Sequence, residues 1–142
     1  KVLTEKAFVV AVCNASQYGN NAYIAPRASM TDGLLDVTII HSGNPLTTAL
    51  VGVDLLTGYI DRNTLIHTFR TTEATITRKS PGPAHIDGEP MTMGVTTRIE
   101  SHPGALRIYT PSAERPFRPI ITPMMSRVKE VGYNLSKLFA KR

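Results

Sequence analysis

Ten glycines and ten prolines interrupt this chain of 142 residues, leaving little room for long helices. Each favours a turn or a break, so short strands joined by turns are expected. Between the breakers lie apolar runs of strand length. Ala7–Cys13 (AFVVAVC) is continuous and β-branched, as a buried strand requires, and Leu34–His41 (LLDVTIIH) alternates as a half-buried strand does. Further strand-like pieces follow at Leu65–Phe69, Ala74–Arg78, Ala84–Asp87, Val95–Glu100 and Ala105–Tyr109, the last two flanking SHPG as a hairpin turn.

The pattern changes between Pro45 and Ile60, where Leu46, Leu50, Val53, Leu56 and Ile60 recur at spacings of three and four. Pro45 suits a first helical turn and Gly58 falls near the end, so this segment is expected to be a helix. Six or seven short strands with one helix read as a mainly β (α+β) domain with one or two helices, a β-sandwich or a barrel-like arrangement. The hydrophobic share of 42% supplies a core for one domain.

Two regions are set apart by charge. Residues 1–111 carry nine Lys+Arg against nine Asp+Glu, whereas residues 112–142 carry seven against two. The net charge of +5 therefore sits in the tail. A neutral body argues against a nucleic-acid partner and for a local surface. The tail reads as a Pro-rich connector, SAERPFRPIITP, followed by a basic helix with Met124, Val128, Val131, Leu135 and Leu138 as its apolar stripe. The expected organisation is thus a β-sandwich over 1–111, with connector and helix over 112–142. No run of roughly 18 apolar residues indicates a membrane-spanning helix. The start, KVLTEKAFVV, lacks both Met and a signal-peptide pattern, and reads as the middle of a longer chain.

Cys13 is the single cysteine, which suits a reducing compartment and excludes an internal disulfide. It reads as a small buried hydrophobe. His41, His67, His85 and His102 fall on different elements without metal-ligand spacing, and no GxSxG elbow accompanies the many Ser and Thr residues.

Two motifs carry chemistry. In APRASMTDGLLDV (Ala25–Val37), Asp32–Gly33 is a turn into a strand, able to present a carboxylate and main-chain carbonyls to a hard cation. An ordinary turn with a solvated Asp is the alternative. In HIDGEP (His85–Pro90), Asp87 and Glu89 bracket Gly88. On an extended chain, residues two apart point the same way, so both carboxylates could share a pocket. One would take a proton while the other helped hold a metal on a phosphate. An exposed Asp-Gly β-turn is the alternative. The loop between Cys13 and Leu34, dense in Gly, Asn, Ser and Pro, is long enough to point to function.

In combination, NASQYG, IAPRASMTDGLLDV, HIDGEP some fifty residues on, and a closing ALRIYTP resemble the C-terminal domain of diacylglycerol kinase-type lipid kinases. That family includes bacterial lipid kinases and the sphingosine and ceramide kinases. The resemblance covers Phe8 to Pro111. It implies a β-sandwich joined to an α/β nucleotide domain, with the active site in the cleft between them. By the resemblance, Asp87 is the base on the lipid hydroxyl and Glu89 helps place the catalytic Mg2+. Asp32 matches a structural Mg2+ ligand, with the carbonyls of Ser29 and Leu34 as companions. It further implies ATP bound mainly by the N-terminal domain, a lipid substrate with a free hydroxyl, and a cytoplasmic protein peripherally associated with the membrane surface.

Two departures matter. The family's glycine-rich GGDGT phosphate motif belongs to the N-terminal domain and does not occur here. The glycine run after the tyrosine is replaced by Tyr18-Gly19-Asn20-Asn21; Asn tolerates left-handed backbone, so the turn is expected to survive. A non-catalytic β-sandwich binding module and an inactive regulatory relative remain open as alternatives.

Overall fold

The apolar runs at either end of the long loop pair with each other. The structure, a computed structural model, describes residues 2–19 and 21–109. Strand β1 (Ala7–Cys13) lies antiparallel to β2 (Leu35–His41), which pairs on its other side with β3 (Ile66–Thr71), giving the order β1-β2-β3. As the central strand, β2 buries Leu35, Val37, Thr38, Ile39 and Ile40, with the half-buried Asp36 between the first two. Burial of successive residues is what a strand covered on both faces shows. The Thr38 hydroxyl meets its own need by donating to the Ile24 carbonyl at 2.7 Å.

One face of this sheet carries the main core. Val9, Ala11 and Cys13 of β1 stand opposite Ile40, Thr38 and Asp36 of β2. The three β1 residues pack with Ile40 against Ile24, Ala25 and Val51, joined by Leu55, Leu65 and Ile66. Ile24 and Ala25 come from the long loop, Val51 and Leu55 from helix α1 (Pro45–Thr57). Asn44 caps α1 by accepting the Thr47 amide at 2.9 Å, Pro45 stands in its first turn, and Gly58 ends it in the left-handed conformation (φ 72°). The helix therefore stops before the expected Ile60, which begins a separate 3-10 turn (Ile60–Arg62).

The recurring apolar stripe of α1 faces away from the core. Leu46, Leu50, Val53 and Leu56 are exposed, Leu46 by 72%, and only Ile60 of the recurring set is buried. The helix is apolar on two sides, so periodicity cannot choose between them. Val51 and Leu55, one turn apart, form the side that meets Ile24 and Ile40.

The remaining strands are nested. Strand β4 (Glu73–Thr77) pairs antiparallel with β7 (Thr96–Glu100), and the hairpin of β5 (Gly82–Ile86) and β6 (Glu89–Met93) lies between them in sequence. The expected hairpin across SHPG is not formed. His102 and Ala105 close a turn (N–H to O 3.3 Å), and residues 105–109 carry no strand. Pro103 instead approaches Gly33 so closely that a Cβ there would lie 2.9 Å from its Cγ, drawing the turn toward the long loop. Strand β6 was not expected, because Pro90 and exposed, mixed side chains hide it; a proline is tolerated in a two-stranded ribbon. The expected mainly β architecture stands, with α1 as the α-helix among the described residues. The expected connector and basic helix lie outside the described residues.

Candidate functional site

Asp87 and Gly88 are the two-residue tip of the β5–β6 hairpin, flanked by the pair Ile86 and Glu89. Both have positive φ, 51° and 92°. Such values at both central positions define the tight turn whose twist suits a hairpin, and Asp-Gly is among its preferred pairs. The extended-chain reasoning for a shared carboxylate face does not apply here, because the turn interrupts the alternation between Asp87 and Glu89. What the turn does instead is lift both residues to the surface. Each is exposed, and among the described residues neither carboxylate has an ion-pair or hydrogen-bond partner.

The long loop reaches this tip. The Tyr18 hydroxyl lies 2.6 Å from His85 Nε2, and the two rings meet edge to face at 5.1 Å. His85 carries no metal-ligand spacing in the sequence, and nothing local there joins it to Tyr18, 67 positions away. A tyrosine inside a Gly/Asn turn was the only available signal.

Asp32 is placed differently. Its Oδ1 accepts the Leu34 amide at 3.0 Å, an Asx turn that sets the chain into β2. Gly33, between them, has φ 72°. Asp32 Oδ2 stands 3.5 Å from Arg70 Nη1. The same guanidinium donates from Nε to Asp36 Oδ1 at 3.1 Å and from Nη2 to the Arg27 carbonyl. The hydrogen bond and charge of Asp36, and then the charge of Asp32, push the Arg70 pKa above its already high ordinary value. Asp36 Oδ2 is buried with no partner among the described residues. Ser29, half-buried, shares its hydroxyl with that of Thr31 at 3.1 Å.

These donors can be tested against the implied Mg2+. Asp32 and the carbonyls of Ser29 and Leu34 form an oxygen-only set, which suits a hard cation that keeps much of its water. Arg70 already shares the Asp32 carboxylate, so a cation there would compete with a fixed positive charge. Among the described residues, no three His, Cys, Asp or Glu side chains cluster as a metal site. Glu89, exposed beside the hairpin tip and without a partner among the described residues, offers a further carboxylate to a cation.

Cys13 is half-buried rather than fully buried. Desolvation, reinforced by the charge of Asp36, pushes its thiol up to about 11. It stays protonated at neutral pH, so it is no nucleophile.

Comparison with known proteins follows the same lines as the motifs. Residues 1–110 match the family model described as the YegS C-terminal NAD kinase beta sandwich-like domain. The chain is also 34% identical over 100 residues to a protein of Pseudomonas fluorescens (strain Pf-5) named "Probable lipid kinase YegS-like". That alignment covers 69% of this chain and 32% of the relative, so the chain spans about a third of the curated protein it matches. The resemblance to a lipid-kinase C-terminal domain is thereby met, and this chain belongs to the family of YegS C-terminal, NAD kinase β-sandwich-like domains.

Proposed function

We propose that this chain is the substrate-side part of an ATP-dependent, diacylglycerol kinase-like lipid kinase, in which Asp87 accepts the proton of a lipid hydroxyl. The observation that carries the reading is the hairpin tip: in a chain of this family, a tight turn holds a carboxylate at the surface with no partner among the described residues. A group that must receive a proton from an incoming substrate needs that freedom.

The chemistry is phosphoryl transfer, where a protein's contribution is mostly positioning and charge stabilisation. A lipid hydroxyl is a weak nucleophile at neutral pH. As its oxygen bonds to the γ-phosphorus of ATP and the bond to the ADP oxygen breaks, its proton passes to an Asp87 carboxylate oxygen. Bound Mg2+, held in part by Glu89, would neutralise charge on the phosphates. Asp32, with the carbonyls of Ser29 and Leu34, would hold a second, structural Mg2+ under the loop. ATP itself would be held by an N-terminal domain carrying the phosphate loop. The enzyme would work on the membrane surface, from the cytoplasmic side.

The test is a pair of substitutions in the full-length protein. Asp87→Asn keeps the shape and removes the basicity, and kcat should fall by roughly 10²–10⁴ with lipid KM little changed. Glu89→Gln should slow turnover and also raise the Mg2+ requirement. Unfolding midpoints near that of the unmutated protein exclude a damaged loop. Turnover above about half of the unmutated value in Asp87→Asn would remove Asp87 as the base. A binding module without catalysis predicts, instead, no glycine-rich GGDGT-like loop anywhere in the full-length chain.

A further inference from the structure

The β5–β6 hairpin is tied to the rest of the molecule at two levels. Near its base, Arg78 donates from Nε to the Gly94 carbonyl at 3.2 Å and from Nη1 to the Pro83 carbonyl at 3.5 Å. The Thr97 hydroxyl adds a contact to the Met93 sulfur at 3.7 Å. None of these reaches the tip. Nearer the tip, the side-chain tie among the described residues is Tyr18 to His85, at 2.6 Å and 67 positions apart in sequence. His85 is two residues from Asp87 and pairs across the hairpin with Pro90. In such a hairpin the Ile86–Glu89 pair carries the closing bonds, so His85 and Pro90 form the next, non-hydrogen-bonded pair, which an outside side-chain tie can reinforce.

Tyr18 is itself mounted on a braced turn. Its amide donates to the Ala22 carbonyl at 2.8 Å, and the Ala22 amide returns to Gly19 at 2.8 Å. The Asn21 amide donates to the Gln17 side chain at 3.3 Å. The turn's outgoing strand is anchored where the Tyr23 amide meets the Leu55 carbonyl of α1 at 2.7 Å and the Ala25 amide meets Ser16 at 3.2 Å. Tyr23, Ile24 and Ala25 are all buried. A continuous mechanical path thus runs from the core and α1, through the turn, to the phenol and on to the hairpin.

We infer that Tyr18 is a positioning residue, which through His85 fixes the hairpin tip, and with it Asp87, relative to the core. The inference rests on the reading of Asp87 as the base. A hydroxyl both donates and accepts, so it can bond Nε2 in either tautomer of the ring and also in the imidazolium. The tie is therefore available in each of these states.

The experiment uses the full-length protein with Tyr18→Phe, His85→Ala, His85→Gln and the double variant Tyr18→Phe/His85→Ala. Amide exchange over residues 84–91 should quicken about two- to tenfold in Tyr18→Phe, the range that loss of one hydrogen bond allows. kcat should fall by a similar factor at every pH from 5.5 to 8 (about the span in which imidazole titrates), with lipid KM within about twofold. The double variant should be no worse than His85→Ala, and His85→Gln should recover part of the loss. Unchanged exchange at the tip overturns the inference, as does faster exchange without a fall in kcat, or additive losses in the double variant. If the unmutated protein phosphorylates no lipid, the reading of Asp87 fails on its own. The exchange measurement then decides the tie alone: unchanged exchange overturns it and faster exchange upholds it.

Discussion

Arg70 stands between Asp32 and Asp36, and its three contacts join the long loop, β2 and β3. The arrangement assigns different burdens to the two aspartates. Asp36 is nearly enclosed and takes the shorter bond, while Asp32 keeps a surface position and the looser contact. Removing Asp32 should therefore spare the fold. In the full-length protein, Asp32→Ala is expected to weaken activity and shift the Mg2+ titration upward with little change in unfolding midpoint; an unmoved titration would make it a turn residue only. Cys13 gives a second prediction. Its thiol holds its proton up to about 11 in the fold, against an ordinary 9.0. In that interval the folded chain binds more protons than the unfolded one, so stability is intact below 9 and declines as pH rises through 11. Cys13→Ala should flatten that decline in unfolding midpoints measured across the interval. The sequence disclosed these residues but not their company. DGLLDV marks Asp32, yet its partner Arg70 lies on β3, beyond reach of any local pattern.

Elements were legible where burial is one-sided or complete. Strand β1 keeps its expected bounds because an apolar β-branched run between polar residues has few other solutions. It is not the buried strand expected, however: it stands at an edge of the sheet with Phe8 exposed and none of its residues fully buried. Strand β6 escaped notice because EPMTM is mostly exposed and begins on Glu-Pro, so neither alternation nor propensity speaks for it. The hairpin tip was visible as Asp-Gly, but the choice between turn and extended segment needed the second strand. Helix α1 shows a different failure, since its length was readable and its orientation was not. This orientation is testable by substitution. Val51→Ala removes buried methyl groups from the contact with Ile24 and Ile40 and should cost about 2 kcal/mol. Leu50→Ala, on the exposed side, should change stability by no more than about 0.5 kcal/mol. Equal costs, measured by denaturant unfolding, would place the recurring stripe in the core.

At the scale of the molecule, the long loop is the structural link between the two motifs, holding Asp32 at one end and reaching His85 through Tyr18 near the other. The order NASQYG, DGLLDV, HIDGEP was readable as a family signature, whereas the contact that joins its members spans 67 positions and came only with the fold. No helix among the described residues is long and apolar enough to cross a membrane. The three-stranded sheet, the long loop and α1 supply a core of their own, so the 142-residue chain should unfold cooperatively with a β-rich circular dichroism spectrum. It should nevertheless transfer no phosphate. Phosphoryl transfer needs backbone amides and cations around the nucleotide's phosphates as well as a base for the nucleophile. This sequence offers carboxylates at Asp32, Asp87 and Glu89 but no glycine-rich phosphate loop. Negative side chains alone repel ATP rather than bind it, so calorimetry with Mg2+ and ATP should show no tight binding to the isolated chain. Adding lipid should give no product, while the full-length protein turns over under the same conditions. Substantial lipid phosphorylation by the purified 142-residue chain would mean that the nucleotide site lies within it, and the division of labour between two domains would be wrong.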